Sequence, residues 1–248
     1  MRIDVHFNGG AGGQGDLHDR VVLVIDVLRA STSIAAALAN GARAVIPFEG
    51  VEEAITRARS LERSEVLTAG ERKMQPIPGF DLGNSPRAFA ADVVGGKTIV
   101  MTTSNGTAAL AGTAGAADVI VGAFVNFSAV LARLRAAARS GKSIAILCAG
   151  SNGRFALEDA ICAGRFVRGI ARRGISPELG DAARVAALVN RAIGRDLAAA
   201  LRDSEHGRAL VEAGYADDVD DCAKLDSHPV VPVYRDRQVV RLGSTRRR

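Results

Sequence analysis

The apolar residues of this chain keep two alternating rhythms. Short runs of Val, Ile and Leu have the length and branching of strands buried on both faces, and the Ala-rich stretches between them carry helical spacing. The clearest run is Val21 to Ile25, in which every residue except Leu23 is β-branched. Asp26 ends it, and Ser31-Thr32-Ser33 opens a helix over 31–40 that Gly41 closes. Further strands are predicted at 3–7, 42–48, 65–70, 98–101, 117–124 and 143–150, with helices at 51–64, after Gly106, at 125–141 and at 155–170. Beyond Gly174 the pattern is mostly helical, over 181–201 and 205–213, before a hairpin around Arg235-Asp236-Arg237. This order predicts a three-layer α/β/α fold with a largely parallel, mixed sheet. One domain is expected over 1–248, its core at about 21–164, with the C-terminal helices and hairpin packed on it. The Gly-rich segment Gly9 to Gly15 reads as a plain loop.

Charge arrives where the predicted strands end. In open α/β sheets the ligand crevice lies at the carboxyl ends of strands, beside helix N-termini that attract anions. Asp26 there suits a cation, and Arg29, Ser31 and Thr32 suit phosphate oxygens; alternatively Asp26 is a turn residue, Ser31 a cap and Arg29 a surface charge. The junction recurs at Thr102-Thr-Ser-Asn-Gly-Thr107, where Ser104, Asn105, Gly106 and Thr107 are small enough for amides to approach an oxyanion. It recurs again at Ser151, Asn152, Gly153 and Arg154, ahead of Glu158 and Asp159, two carboxylates fit for a metal or a proton, or for the helix dipole. Residues 71–86, with Glu71, Arg72 and Asn84, form a connection long enough to be a functional loop.

Composition narrows the class. Hydrophobic residues make up 48% and aromatics 4%, with no Trp, so the core is built from Ala, Val, Ile and Leu. No apolar run approaches the roughly 20 residues of a membrane span, and the N-terminus lacks a signal-peptide pattern, so a soluble cytoplasmic protein with no membrane partner is expected. The formal charge is +5, and only four of the 32 basic residues are Lys, the rest Arg; the Arg excess reads equally as bidentate anion contacts or as coding bias, and the basic charge suits an anionic small molecule or nucleic acid. Scarce aromatics and the lack of any nucleic-acid motif argue against nucleic acid, and the Arg246 to Arg248 tail reads as a frayed end. A homo-oligomer stays open. The three cysteines lack zinc spacing and read as reduced and structural, the four histidines show no ligand spacing, and the five Asp of 217–226 read as a solvated turn or helix face.

Taken together, Asp26-Val-Leu-Arg-Ala-Ser-Thr-Ser-Ile, Gly70-Glu-Arg, Ile77-Pro-Gly-Phe-Asp-Leu-Gly-Asn-Ser-Pro, Thr102-Thr-Ser-Asn-Gly-Thr and Cys148-Ala-Gly-Ser-Asn-Gly-Arg-Phe-Ala-Leu-Glu-Asp resemble the successive motifs of the 2-phosphosulfolactate phosphatases. The resemblance runs from about Val21 to Gly164. It implies Mg²⁺-dependent hydrolysis of a small anionic phosphorylated 2-hydroxy acid to sulfolactate, or a related acid, and phosphate, a step toward coenzyme M in some organisms. It further implies oxygen ligands from Asp26, Glu71, Glu158 and Asp159, Asp26 and Asp81 nearest the chemistry, and Arg29, Arg72 and Arg154 on the substrate's acid groups. Two alternatives stand beside it. Cys148-AGSNG-Arg154 matches a cysteine-phosphatase loop literally, and the pocket could bind an anion without catalysis. An aspartyl-phosphate motif with a second Asp two residues on is not met, since position 28 is Leu.

Overall fold

The computed structural model describes residues 1–8, 17–172, 174–193 and 196–243. The expected Gly9 to Gly15 loop and the Arg246 to Arg248 tail lie outside them. The chain opens with β1 (Arg2–His6), β2 (Val21–Ile25), α1 (Ala30–Ala39), β3 (Ala44–Pro47), α2 (Val51–Arg59), β4 (Val66–Arg72) and β5 (Gln75–Pro76). Then come α3 (Ala91–Val94), β6 (Thr98–Thr102), α4 (Gly106–Ala111), β7 (Asp118–Gly122), α5 (Phe127–Arg139), β8 (Ile144–Cys148) and α6 (Leu157–Ile170). The last third holds β9 (Glu178–Leu179), α7 (Asp181–Ala192), α8 (Leu197–Asp203), α9 (Glu205–Glu212), α10 (Ala216–Cys222), β10 (Pro232–Arg235) and β11 (Gln238–Arg241).

Among the described residues the strands join in one 11-stranded sheet of order β5-β4-β6-β3-β11-β10-β7-β2-β8-β1-β9. β2 lies between β7 and β8, parallel to both, and all five of its residues are buried. Its alternate side chains feed opposite layers. Leu23 and Ile25 join the core under α5 and α6 with Leu134 and Phe166, whereas Val22 and Val24 join Ile34, Leu38, Ile99 and Leu110 on the other face. This is the three-layer α/β arrangement with a mostly parallel, mixed sheet.

The C-terminal hairpin departs from expectation. It does not pack on a finished core; β10 and β11 enter the sheet between β7 and β3, antiparallel to both, with Val233 opposite Ile120 and Val239 opposite Val45. Two parallel groups of strands, each ending in an unpaired row of backbone groups at β3 or β7, are thereby sealed to one another, and buried Val233 and Val239 fill the seam. Among the described residues no helix is long and apolar enough to cross a membrane.

β2 and β8 run parallel and end side by side, and residues that follow β2, β6 and β8, among them Asp26, Ser104, Asn105, Ser151 and Asn152, line one common space.

Candidate active site

That space is a cavity of about 660 Å³. Ten of the predicted site residues line it: Asp26, Arg29, Glu71, Arg72, Asn84, Ser104, Asn105, Asn152, Arg154 and Glu158.

Asp26 occupies the end of the central strand. Its backbone N–H donates to Ser31 Oγ at 2.9 Å, and its Oδ1 accepts from the Ala30 N–H at 3.2 Å, which fixes the carboxylate at the start of α1. The residue is buried, and burial pushes its pKa up to about 6; the charges of Glu71 and Glu158 push the same way, while His206 and the Ala30 amide pull against them. Asp26 is thus a carboxyl group poised near neutrality among other carboxylates.

His206, on α9, is a titratable neighbour of Asp26 and Glu158 that sequence reading missed. Its Nδ1 lies 3.5 Å from Glu158 Oε1, and both residues line the cavity. Although burial works downward, the Glu158 hydrogen bond and the charges of Glu158 and Asp26 hold its imidazolium above the ordinary range. The ring reaches the cavity from a helix remote in sequence, and no local spacing announces it.

Other predicted residues build the walls. Glu71 accepts from Ser104 N–H at 2.8 Å, Ser104 Oγ at 3.1 Å and Met74 N–H at 3.0 Å, which ties β4 to the β6 junction. Arg72 donates to Glu71 O, Glu49 O and Thr102 Oγ1. Arg29 is only 3% exposed, forms a 2.6 Å ion pair with Asp218 of α10 and lies 4.2 Å from the centre of the Tyr215 ring. Asp218 also accepts from Ser85 Oγ at 2.7 Å, so it is a buried counter-ion and not part of a solvated acidic face. Asn105 Oδ1 accepts from Asn152 N–H at 3.1 Å and links the β6 and β8 junctions.

Seven expected site residues lie outside the lining. Asp81 is not near the chemistry: it accepts from the Thr68 N–H and hydroxyl at 2.8 Å each and pairs with Arg63 at 2.6 Å, so it staples the 77–85 loop to β4. Partial burial works upward, yet Arg63 and Thr68 hold its carboxyl below the ordinary range. Ser31 and Thr32 spend their hydroxyls on Asp26 N–H and Val27 O. Thr107 exchanges hydrogen bonds with Thr103, and Gly106 lies against Asp26 and Ala30. Gly153 serves a tight turn, with φ of 72°. Asp159 accepts from the Val27 and Gly150 amides at 2.9 and 3.1 Å; burial, then Glu158 and Asp26, hold it well above the ordinary carboxylate range.

The cysteine alternative loses its chemistry here. Cys148 is fully buried at the end of β8, and burial together with Asp159, Cys162 and Glu158 pushes its thiol well up, away from the thiolate a nucleophile requires. It does not line the cavity.

Oxygen donors fit a hard cation. Glu71 and Asp159 already accept three and two hydrogen bonds from the protein, whereas Asp26 and Glu158 face the cavity and Asn84 Oδ1 is buried with no hydrogen-bond partner. Among the described residues no group of three or more His, Cys, Asp or Glu forms a closed ligand cluster. Mg²⁺ commonly uses one or two carboxylates and leaves its other positions to water and substrate phosphate, which this donor set matches.

Fold and site together define an α/β protein with a cavity lined by carboxylates and Arg beside the ends of its central strands. Residues 11–237 match the family described as 2-phosphosulpholactate phosphatase. The chain is 41% identical over 227 residues to the probable 2-phosphosulfolactate phosphatase of Symbiobacterium thermophilum, covering 92% of this chain and 96% of that one. It is 39% identical over 217 residues to the protein of that name from Caldanaerobacter subterraneus subsp. tengcongensis, 88% of each, and 33% identical over 239 residues to that of Clostridium beijerinckii, 96% and 99%. The chain belongs to the 2-phosphosulfolactate phosphatase family.

Proposed function

We propose that the cavity hydrolyses a small phosphate monoester of a 2-hydroxy acid, with 2-phosphosulfolactate, the substrate in its relatives' names, as the first candidate. The observation that carries this reading is Asp26: a buried carboxyl raised to about 6 at the end of the central strand, in a cavity it shares with the His206–Glu158 pair and with Arg154. Water adds its oxygen to phosphorus, the ester P–O bond breaks, and the departing alkoxide takes a proton to become the hydroxyl of the product acid.

The chain's own groups suit these tasks. With Nδ1 held by Glu158, His206 keeps Nε2 for a substrate oxygen, and its imidazolium is placed to give that oxygen a proton. Arg154 supplies cationic contact to the anion, and Phe155, in edge-on contact with Phe7 at 5.2 Å between centroids, borders the mouth. Asp26, Glu158 and Asn84 Oδ1 are the groups that would hold Mg²⁺, which when bound neutralises phosphate charge and acidifies water.

The test is phosphate release from 2-phosphosulfolactate with and without Mg²⁺, in wild type and in His206→Gln. Release that is quickened by Mg²⁺ and depressed in the variant supports the reading. Tight binding of the ester with no release under any divalent cation would favour an anion-binding protein instead.

A further inference from the structure

On that reading, the four Arg and Lys side chains of the cavity fall into two kinds. Arg29 and Arg72 are committed to protein partners. Arg154 and Lys73 are exposed and form no ion pair with any described residue. Arg154 belongs to a motif already assigned to the anion; Lys73 does not.

Lys73 stands on a turn built against its own chemistry. β4 and β5 pair Arg72 with Gln75, so Lys73 and Met74 alone connect them, and both have positive φ, 50° and 69°. A two-residue hairpin with left-handed backbone at both positions selects Asn-Gly, because other side chains crowd their own backbone there. The same cavity shows the favoured solution: Ser151 and Arg154 exchange backbone hydrogen bonds across Asn152-Gly153, with φ of 50° and 72°. The distant β10–β11 turn keeps Asp236, a residue that tolerates this region, at its first position, with Arg237 at its second. Lys73-Met74 has the favoured residue at neither.

The surroundings hold this turn in place. Met74 N–H donates to Glu71 Oε2 at 3.0 Å, and Met74 O accepts from Arg29 Nη2 at 3.1 Å. Strained backbone that neighbouring groups over-determine, at the rim of a cavity, is characteristic of a residue kept for what it contacts. An ammonium carried there with no ion-pair partner among the described residues is available to an anion that enters the cavity.

We infer that Lys73 is a specificity-determining residue: from the strained Lys73-Met74 turn it binds the acid group at the far end of the substrate, so the cavity selects phosphorylated hydroxy acids that end in a sulfonate or second carboxylate over those ending in an alkyl group. The inference rests on the hydrolase reading above, but its test separates the two.

The experiment compares wild type, Lys73→Arg and Lys73→Asn, which leaves Met74 and its core contacts in place and installs at the first turn position a residue that tolerates left-handed backbone. Each is assayed on 2-phosphosulfolactate and on 2-phospholactate, where a methyl group replaces the sulfonate-bearing carbon, and titrated calorimetrically with both esters. The expected result is a Lys73→Asn variant whose Tm rises by a degree or more as turn strain is relieved. Its sulfonate-over-methyl ratio, in kcat/KM and in affinity, falls about tenfold, while Lys73→Arg retains most of it. An unchanged ratio, or an equal loss on both esters, overturns the role of Lys73, and an unchanged or lower Tm overturns the strain. Should no ester release phosphate even from wild type, the hydrolase reading fails, and the calorimetric ratio alone decides the inference.

Discussion

A methyl group placed on Gly106 would lie 2.6 Å from Asp26 Oδ2 and 2.6 Å from the Ala30 Cβ. No real side chain tolerates such a contact, so the start of α4 can lie against the carboxylate only because residue 106 has no Cβ. Gly106→Ala is therefore expected to push Asp26 out of position while the core stays folded. Displacement of about an ångström at a reacting centre lowers kcat/KM on the order of a hundredfold, and steady-state kinetics beside an unchanged circular dichroism spectrum would check it.

Asp26 also sets a pH dependence. Its folded pKa of about 6 exceeds the ordinary 3.8, so the native state holds a proton that the unfolded chain releases between these values. Ionised Asp26 therefore destabilises the fold above pH 6, and the penalty vanishes below about the ordinary value. Removing the charge in Asp26→Asn should abolish turnover yet stabilise the metal-free protein at pH 8 by on the order of 2 kcal/mol, with little gain near pH 4. Thermal unfolding of both proteins in EDTA at the two pH values would show it.

The His206–Glu158 pair gives an opposite sign. A His pKa raised by folding contributes stability below its ordinary value that is lost as pH rises through the folded one. In Glu158→Gln the largest upward influence disappears, so the His206 ring proton resonance should titrate at lower pH than in wild type. His206→Gln should lower kcat by about a hundredfold.

Arg29 and Asp218 are 3% exposed each and 2.6 Å apart. Asp218→Ala leaves a buried guanidinium without its counter-ion, which is expected to destabilise by about 3 kcal/mol, measurable by urea denaturation. Loss of activity should follow loss of fold, because Tyr215, Ser85 and Asp218 bind the C-terminal helices to the wall that Arg29 supports.

Local signals made the layers legible. Val21 to Ile25 is a strand because branched apolar residues run unbroken there, and the junction at Asp26 follows from its polar stop. The motif blocks likewise located Glu71, Asn84, Asn105 and Arg154 in one cavity. Asp81 misled because a carboxylate between Phe80 and Leu82 looks the same in sequence whether it meets Arg63 or a substrate. His206 and Asp218 were silent because their partners, Glu158 and Arg29, lie far away along the chain. The hairpin was legible as a hairpin, but its insertion between β3 and β7 depends on edges set by strands remote in sequence.

Cleavage of a phosphate monoester at the Asp26 centre is the activity proposed for this cavity. Its most direct measurement is phosphate release from 2-phosphosulfolactate with Mg²⁺ and with EDTA, by wild type, Asp26→Asn and Cys148→Ala. Mg²⁺-supported turnover is expected, abolished in Asp26→Asn and retained in Cys148→Ala. Turnover that persists in Asp26→Asn, or that survives EDTA and is lost in Cys148→Ala, would contradict it.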